Sequence, residues 1–133
     1  MSESRHVSIG VDNRADEVYD YVRNPANLAE WAQGLGSSLR EVDGRWVADS
    51  AAGRIEIAFV PRNDFGVADH DVTLPDGTTL HVHLRVLADG AGCEVVFTAR
   101  RLPGMSDDDF ARDVDLVAGD LATLKQVVEG RQG

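Results

Sequence analysis

The segment that most constrains this fold lies near the end of the chain, where Phe110, Val114, Val117, Leu121, Leu124 and Val128 recur at alternating spacings of four and three. That period describes an α-helix with a single apolar stripe, which is stable in water only when something covers it. Ser106 stands where an N-cap belongs, and Asp107, Asp108 and Asp109 load the positive end of the helix dipole. A helix from about Asp107 to Glu129 would run about 34 Å at a rise of about 1.5 Å per residue. Its stripe predicts an apolar partner of similar length, which the preceding residues have to supply. Gly119 falls opposite the stripe and is read as a surface glycine.

The preceding residues read largely as a sheet. His6 to Val11 alternates, with Val7, Ile9 and Val11 on one side, as a first strand should. Asp12 or Asn13 then offers an N-cap, and Asp16 and Glu17 begin a helix whose apolar face is Val18, Tyr21 and Val22. Asn24-Pro25 stops it. Asn27 followed by Glu30 resembles a capping box for a second short helix that carries Leu28 and Trp31 and ends at Gly34. From Leu39 to Arg100, turn residues at Asp43-Gly44, Ala52-Gly53, Asn63 to Gly66, Pro75-Asp76-Gly77 and Asp89 to Gly92 leave room for six short strands. With the first strand these predict a seven-stranded antiparallel sheet with short links.

One turn sets which face is which. Leu74-Pro75-Asp76-Gly77-Thr78 has Pro at the second position of a type I turn and Gly where a left-handed residue must follow, which specifies a three-residue loop with a bulge. Leu74 then faces Thr78, Val72 faces Leu80, His70 faces Val82 and Ala68 faces Leu84; a slip of one residue would mix the faces. The inner face collects Ala68, Val72, Leu74, Leu80, Val82, Leu84 and Val86, with Ile55, Ile57 and Phe59 before them and Cys93, Val95, Phe97 and Ala99 after. Only His70 is polar among them. The outer face pairs Asp71 with His81 and Asp69 with His83.

Composition narrows the class. A chain of 133 residues is read as one domain, residues 1–133. The single cysteine, Cys93, has no partner for a disulfide, a redox pair or a zinc site, which suits a reducing, cytoplasmic setting. The start is polar and no later stretch approaches the roughly 20 apolar residues of a membrane span, so neither a signal peptide nor membrane insertion is expected. A formal charge of −10 repels phosphate backbones and anionic head groups, so nucleic acid is not an expected partner. The acidity is spread along the chain, as on a soluble surface.

The order of strand, two short helices, six-strand meander and long closing helix resembles the α+β helix-grip fold of the START-like (SRPBCC) superfamily, which includes polyketide cyclases and dehydratases, lipid-transfer domains and birch-pollen-allergen proteins. The resemblance spans Arg5 to Glu129, and its most specific local echo is Asn24-Pro25-Ala26-Asn27-Leu28-Ala29-Glu30-Trp31. It implies a curved sheet wrapped around the C-terminal helix and a hydrophobic ligand cavity between them. Residues that would line it are Trp31, Phe59, His70, Val72, Val82, Leu84, Phe97, Val117 and Leu121. The ligand would be a small apolar molecule, aromatic, polyketide-like or lipid-like, carried by a monomer or a homodimer without a cofactor. The resemblance transfers no catalytic residue.

Several residues admit two readings. His70 on an aliphatic face needs a hydrogen-bond partner, at a cost of about 1 to 3 kcal/mol if it has none. It is either a cavity anchor and general base or a neutral core histidine bonded to backbone. The first reading needs an acid: Asp113 lies at the edge of the helix stripe, and Glu41 joins the inner face only if Asp43-Gly44 is a two-residue turn. A three-residue loop, the reading favoured here, would pair Glu41 with Arg45 on the surface. With either acid, His70 could enolise a ketone or dehydrate an aldol product, as a cyclase or dehydratase does. His81-x-His83 has a spacing metals use, but its cross-strand acids account for it without one, and no metal is expected. Tyr21 and Trp31 either line the cavity mouth or cover the core. Asp64-Phe65-Gly66 is a turn, and Cys93 a small packed hydrophobe. A third function class remains open, an interaction module with a filled core that meets a partner chain around His81 and His83.

Overall fold

The computed structural model describes residues 3–32, 38–50 and 53–130. Its elements run β1 (Ser4–Val11), α1 (Ala15–Val22), a 3-10 turn (Pro25–Asn27), α2 (Leu28–Trp31), β2 (Arg40–Val42), β3 (Arg45–Ser50), β4 (Gly53–Phe59), β5 (His70–Thr73), β6 (Thr79–Asp89), β7 (Gly92–Arg100) and α3 (Asp107–Gly130). The seven strands form one antiparallel sheet in the order β1-β7-β6-β5-β4-β3-β2. Consecutive strands from β2 to β7 are neighbours, and β1 closes the far side on β7. The second short helix ends at Trp31, with Ala32 already extended, and so stops before the expected Gly34; the Ala52 half of one turn lies outside the described residues.

The Pro75 turn forms as its residues require. Gly77 takes a φ of 91° and donates its N–H to the Leu74 carbonyl at 2.9 Å, and Leu74 N–H donates to Thr78 O at 2.8 Å. Val72 therefore pairs Leu80 and His70 pairs Val82, and Ala68 N–H donates to Leu84 O at 2.8 Å. The same faces continue through Ile57 opposite Val72 and Leu84 opposite Phe97.

Three local readings need correction. At Asp43-Gly44 the loop has two residues, not three: Asp43 and Gly44 both adopt positive φ, 53° and 79°, and Glu41 pairs Trp46 rather than Arg45. Two left-handed residues in succession give a turn whose twist matches that of the flanking strands, so the shorter loop wins. Neither Asp12 nor Asn13 caps α1. Arg14 occupies the cap position without a side-chain bond, because Asn13 is used elsewhere: its Nδ2 donates to Val128 O of α3 at 2.9 Å. The capping box at Asn27 does not form, since Asn27 Nδ2 donates to Tyr21 O at 3.0 Å and Glu30 accepts from the Tyr21 hydroxyl.

Helix α3 begins as expected. Ser106 Oγ accepts from Asp109 N–H at 3.1 Å, and the Asp109 carboxylate accepts from Ser106 N–H at 3.3 Å, a reciprocal cap. It packs chiefly on β1, with β7 and α2 beside it. At its C-terminal end Leu121, Leu124 and Val128 are buried with Val18, Val22, Leu84 and Val95, all at 2 % exposure or less. Polar ties hold this end to the β1–α1 junction: Lys125 Nζ donates to Gly10 O at 2.8 Å, and Asp12 N–H donates to Glu129 Oε2 at 2.8 Å. The Asn13 bond to Val128 O satisfies one of the carbonyls that every helix end leaves without an internal partner.

Candidate functional site

At the other end of α3 the sheet opens. Pairing between β6 and β7 runs from Asp89 opposite Gly92 up to His83 opposite Thr98 and stops there. Beyond it Thr79 to Val82 pair only with β5, and Ala99 and Arg100 pair only with β1. Between the parted strands and the first half of α3 lies a cavity of about 540 Å³. Leu80 and Val82 line it from β6, Phe97 and Ala99 from β7, Val117 and Asp113 from α3, and Leu102 and Met105 from the connecting loop. Thr79, His81, His83, Thr98 and Arg100 border it from the same stretches of strand. The loop that forms its lip is anchored by Arg101, whose guanidinium donates to Met105 O at 2.9 and 3.2 Å and pairs with Asp107 at 2.5 Å.

Another concavity differs in its border. It has about 580 Å³ along β3 and β4, where Asp43, Arg45, Arg54 and Glu56 mix with Val47, Ile55 and Leu74 along its border. Asp113 is the one carboxylate of the α3 cavity. It is half-buried, burial pushes its carboxyl up from the usual range, and among the described residues it has no hydrogen-bond or ion-pair partner.

His70 stands apart from this cavity. It is 8 % exposed, its ring stacks on Phe59 with centroids 4.4 Å apart, and its Nδ1 lies 3.1 Å from Ala68 O. A carbonyl only accepts, so Nδ1 carries the proton and donates it. Burial holds the imidazole below its ordinary pKa, so it is neutral. Glu41 is exposed on β2, three strands from β5 in the sheet, and does not reach it. Asp113 borders the opening beyond Val82 without bonding it. The expected dyad of His70 with Glu41 or Asp113 is therefore not assembled, because sharing a face does not make two side chains neighbours.

Of the other residues expected to line a cavity, Val82, Phe97 and Val117 do. Leu84, Leu121 and Trp31 are instead packed into the core at 0 %, 1 % and 5 % exposure, and Phe59 and Val72 lie partly buried against it. Among the described residues the indole Nε1 of Trp31 is buried without a hydrogen-bond partner. Sequence reasoning left out Leu102 and Met105. Their signal was two large apolar residues flanking Pro103-Gly104 just before the helix cap, in a loop where polar residues are usual.

On the outer face the acid–imidazole pairs form: His81 Nδ1 to Asp71 at 2.6 Å and His83 Nδ1 to Asp69 at 3.2 Å. Asp69 also accepts from Leu84 N–H at 2.9 Å and from Arg85 at 2.9 and 3.1 Å. Burial raises its pKa, but the hydrogen bonds from Arg85, Leu84 and His83 outweigh that and hold it at about 2. This network pins β6 at the point where it leaves β7. Among the described residues no three His, Cys, Asp or Glu side chains are gathered as a metal site. Cys93 is buried, and burial raises its thiol pKa, so it is not activated as a nucleophile.

A seven-stranded curved antiparallel sheet, two short helices after β1 and one long closing helix define a helix-grip fold, and this chain has that fold. It is similar to the Aha1 dimer from Colwellia psychrerythraea (TM-score 0.72, 15 % identity, 98 % of this chain and 99 % of that one). It also resembles Ara h 8.0201 (TM-score 0.62, 9 % identity, 96 % and 98 % of the two chains). A third likeness is to DynU16, from the dynemicin biosynthetic locus (TM-score 0.68, 16 % identity, 95 % of this chain); the chain spans about half of DynU16's length, 47 %. No family model matches the sequence, and no curated protein matches it. Among the described residues no helix is long and apolar enough to cross a membrane.

Proposed function

We propose that the protein binds a small hydrophobic molecule in the cavity between the parted ends of β6 and β7 and the first half of α3. The observation that carries this reading is the cavity itself: about 540 Å³, walled by Leu80, Val82, Phe97, Ala99 and Val117, beside the stretch of α3 after the buried Phe110 where the apolar stripe is only half-covered. Its size falls within the range of about 300 to 1,000 Å³ common for small-molecule sites, and its walls are of the apolar kind such sites use. Filling it would cover apolar surface worth about 25 cal/mol per Å² removed from water, part of which is offset by the cost of association.

The polar contact assigned to His70 from the sequence moves to Asp113 in this reading. A cyclase or dehydratase built on His70 has no acid partner to work with and finds no support. A saturable increase in the fluorescence of N-phenyl-1-naphthylamine, at one probe per chain, is the expected outcome. Val117→Trp, which fills the cavity from α3, should abolish it while the circular dichroism spectrum stays unchanged. A probe that binds the filled variant equally well would remove the cavity from consideration.

A further inference from the structure

We propose that Asp113 makes the cavity selective for apolar molecules that end in a protonated amine. This rests on the ligand-binding reading above and names the class of ligand. The carboxylate sits on the same side of α3 as Val117, one helical turn before it, and both border the cavity. The surrounding side chains from the inner sheet face, Leu80, Val82, Phe97 and Ala99, offer it no donor. Half-buried and unpartnered among the described residues, it retains all its acceptor capacity for whatever enters. A charged carboxylate in a partly apolar pocket is best satisfied by a cationic donor, because such bonds are roughly twice as strong as neutral ones. An apolar tail would then lie along Val82, Phe97 and Val117 with the ammonium group at Asp113.

Among the described residues that line the cavity the one full cation is Arg100, which alternates with Ala99 and so projects to the outer side of β7, while Arg101 at the lip is engaged with Met105 O, Glu3 and Asp107. His81 and His83 lie on that outer side too, each held by its own aspartate. A ligand ending in a carboxylate would have to point outward toward Arg100, away from Asp113.

The experiment uses three ligands with the same ten-carbon chain, decylamine, decanol and decanoate, to displace N-phenyl-1-naphthylamine from the whole chain and from Asp113→Asn. It is run at about 0.15 M salt, where charges farther than about 8 Å are largely screened and the overall charge of the protein counts for little. We expect decylamine to bind at least tenfold more tightly than decanol and decanoate. In Asp113→Asn that preference should fall at least tenfold, while decanol changes less than twofold. Equal binding of all three, or an amine preference that survives Asp113→Asn, overturns the selectivity and leaves the cavity reading standing. Tighter binding of decanoate overturns it in favour of Arg100. Failure of the probe and of all three ligands to bind would overturn the cavity reading and this inference together.

Discussion

The two halves of α3 carry the same apolar spacing but meet different surroundings. In the second half Leu121, Leu124 and Val128 are closed over at 1 %, 0 % and 2 % exposure, and Asn13, Asp12 and Lys125 tie the helix end to the β1–α1 junction. In the first half Phe110 is buried at 4 %, but Val114 and Val117, which follow it on the stripe, are only half-buried where the strands part after His83 and Thr98. One stripe therefore has two settings: it is packed into the core over the second half and borders open space at Val117. A helix pattern reports that a face is apolar, and only the partner surface decides whether that face is filled or hollow.

The largest expected effect tests this contrast directly. Leu124→Ala should cost about 3 kcal/mol in urea unfolding, through lost burial and a cavity in a packed region. Val117→Ala should cost about 1 kcal/mol or less, since its side chain already borders open space. Equal losses at the two positions would abolish the distinction between the halves.

Asp69→Asn comes next. It loosens the outer-face network that pins β6 where the strands part, and we expect a loss of about 1 kcal/mol near neutral pH, allowing for solvent screening of a partly exposed group. The folded carboxyl titrates at about 2, below its ordinary 3.8. Its contribution is therefore present above about pH 4 and is lost as the pH falls toward 2. The variant should lack that component of acid sensitivity, and an unaltered stability profile between pH 4 and 2 would show that the pin is not formed.

Gly119→Ala supplies a reference on the solvent side between the two halves. Nothing lies within 4 Å of a Cβ built there, so the gain should be roughly 0.5 to 1 kcal/mol from helix propensity alone. A loss would mean that α3 has a second packed face.

The smallest effect at neutral pH belongs to His70. Burial holds its folded pKa below the ordinary 6.5, so the unfolded chain takes up the proton first as the pH drops. Stability should thus decline below about pH 6.5, and His70→Phe, which keeps an aromatic ring beside Phe59, should decline less steeply between pH 7 and 5. Parallel slopes would mean that His70 is not the buried neutral histidine described above.

The fold was legible because its signals are local and agree with one another. The Pro75-Asp76-Gly77 turn sets a register that the Val72, Leu80 and Val82 alternation independently requires, and α3 announces itself by cap, charge and stripe. The errors arose where two local solutions were close in energy, as at Asp43-Gly44, or where a side chain was recruited by a distant segment, as Asn13 was by α3. The site was less legible. Val82, Phe97, Val117 and Asp113 were named from their faces, yet Asp113 was set beside His70, which it does not bond, and Leu102 and Met105 were not named at all.

Sequence alone determined the elements, their order, the strand register at the central hairpin and the faces of the sheet, because each depends on residues within a turn or two of one another. Tertiary structure decided where β6 and β7 separate, which half of α3 is covered, and that His70 bonds to a backbone carbonyl rather than to an acid. Those outcomes depend on how surfaces far apart in the chain fit in space, and a periodic pattern holds no record of that fit.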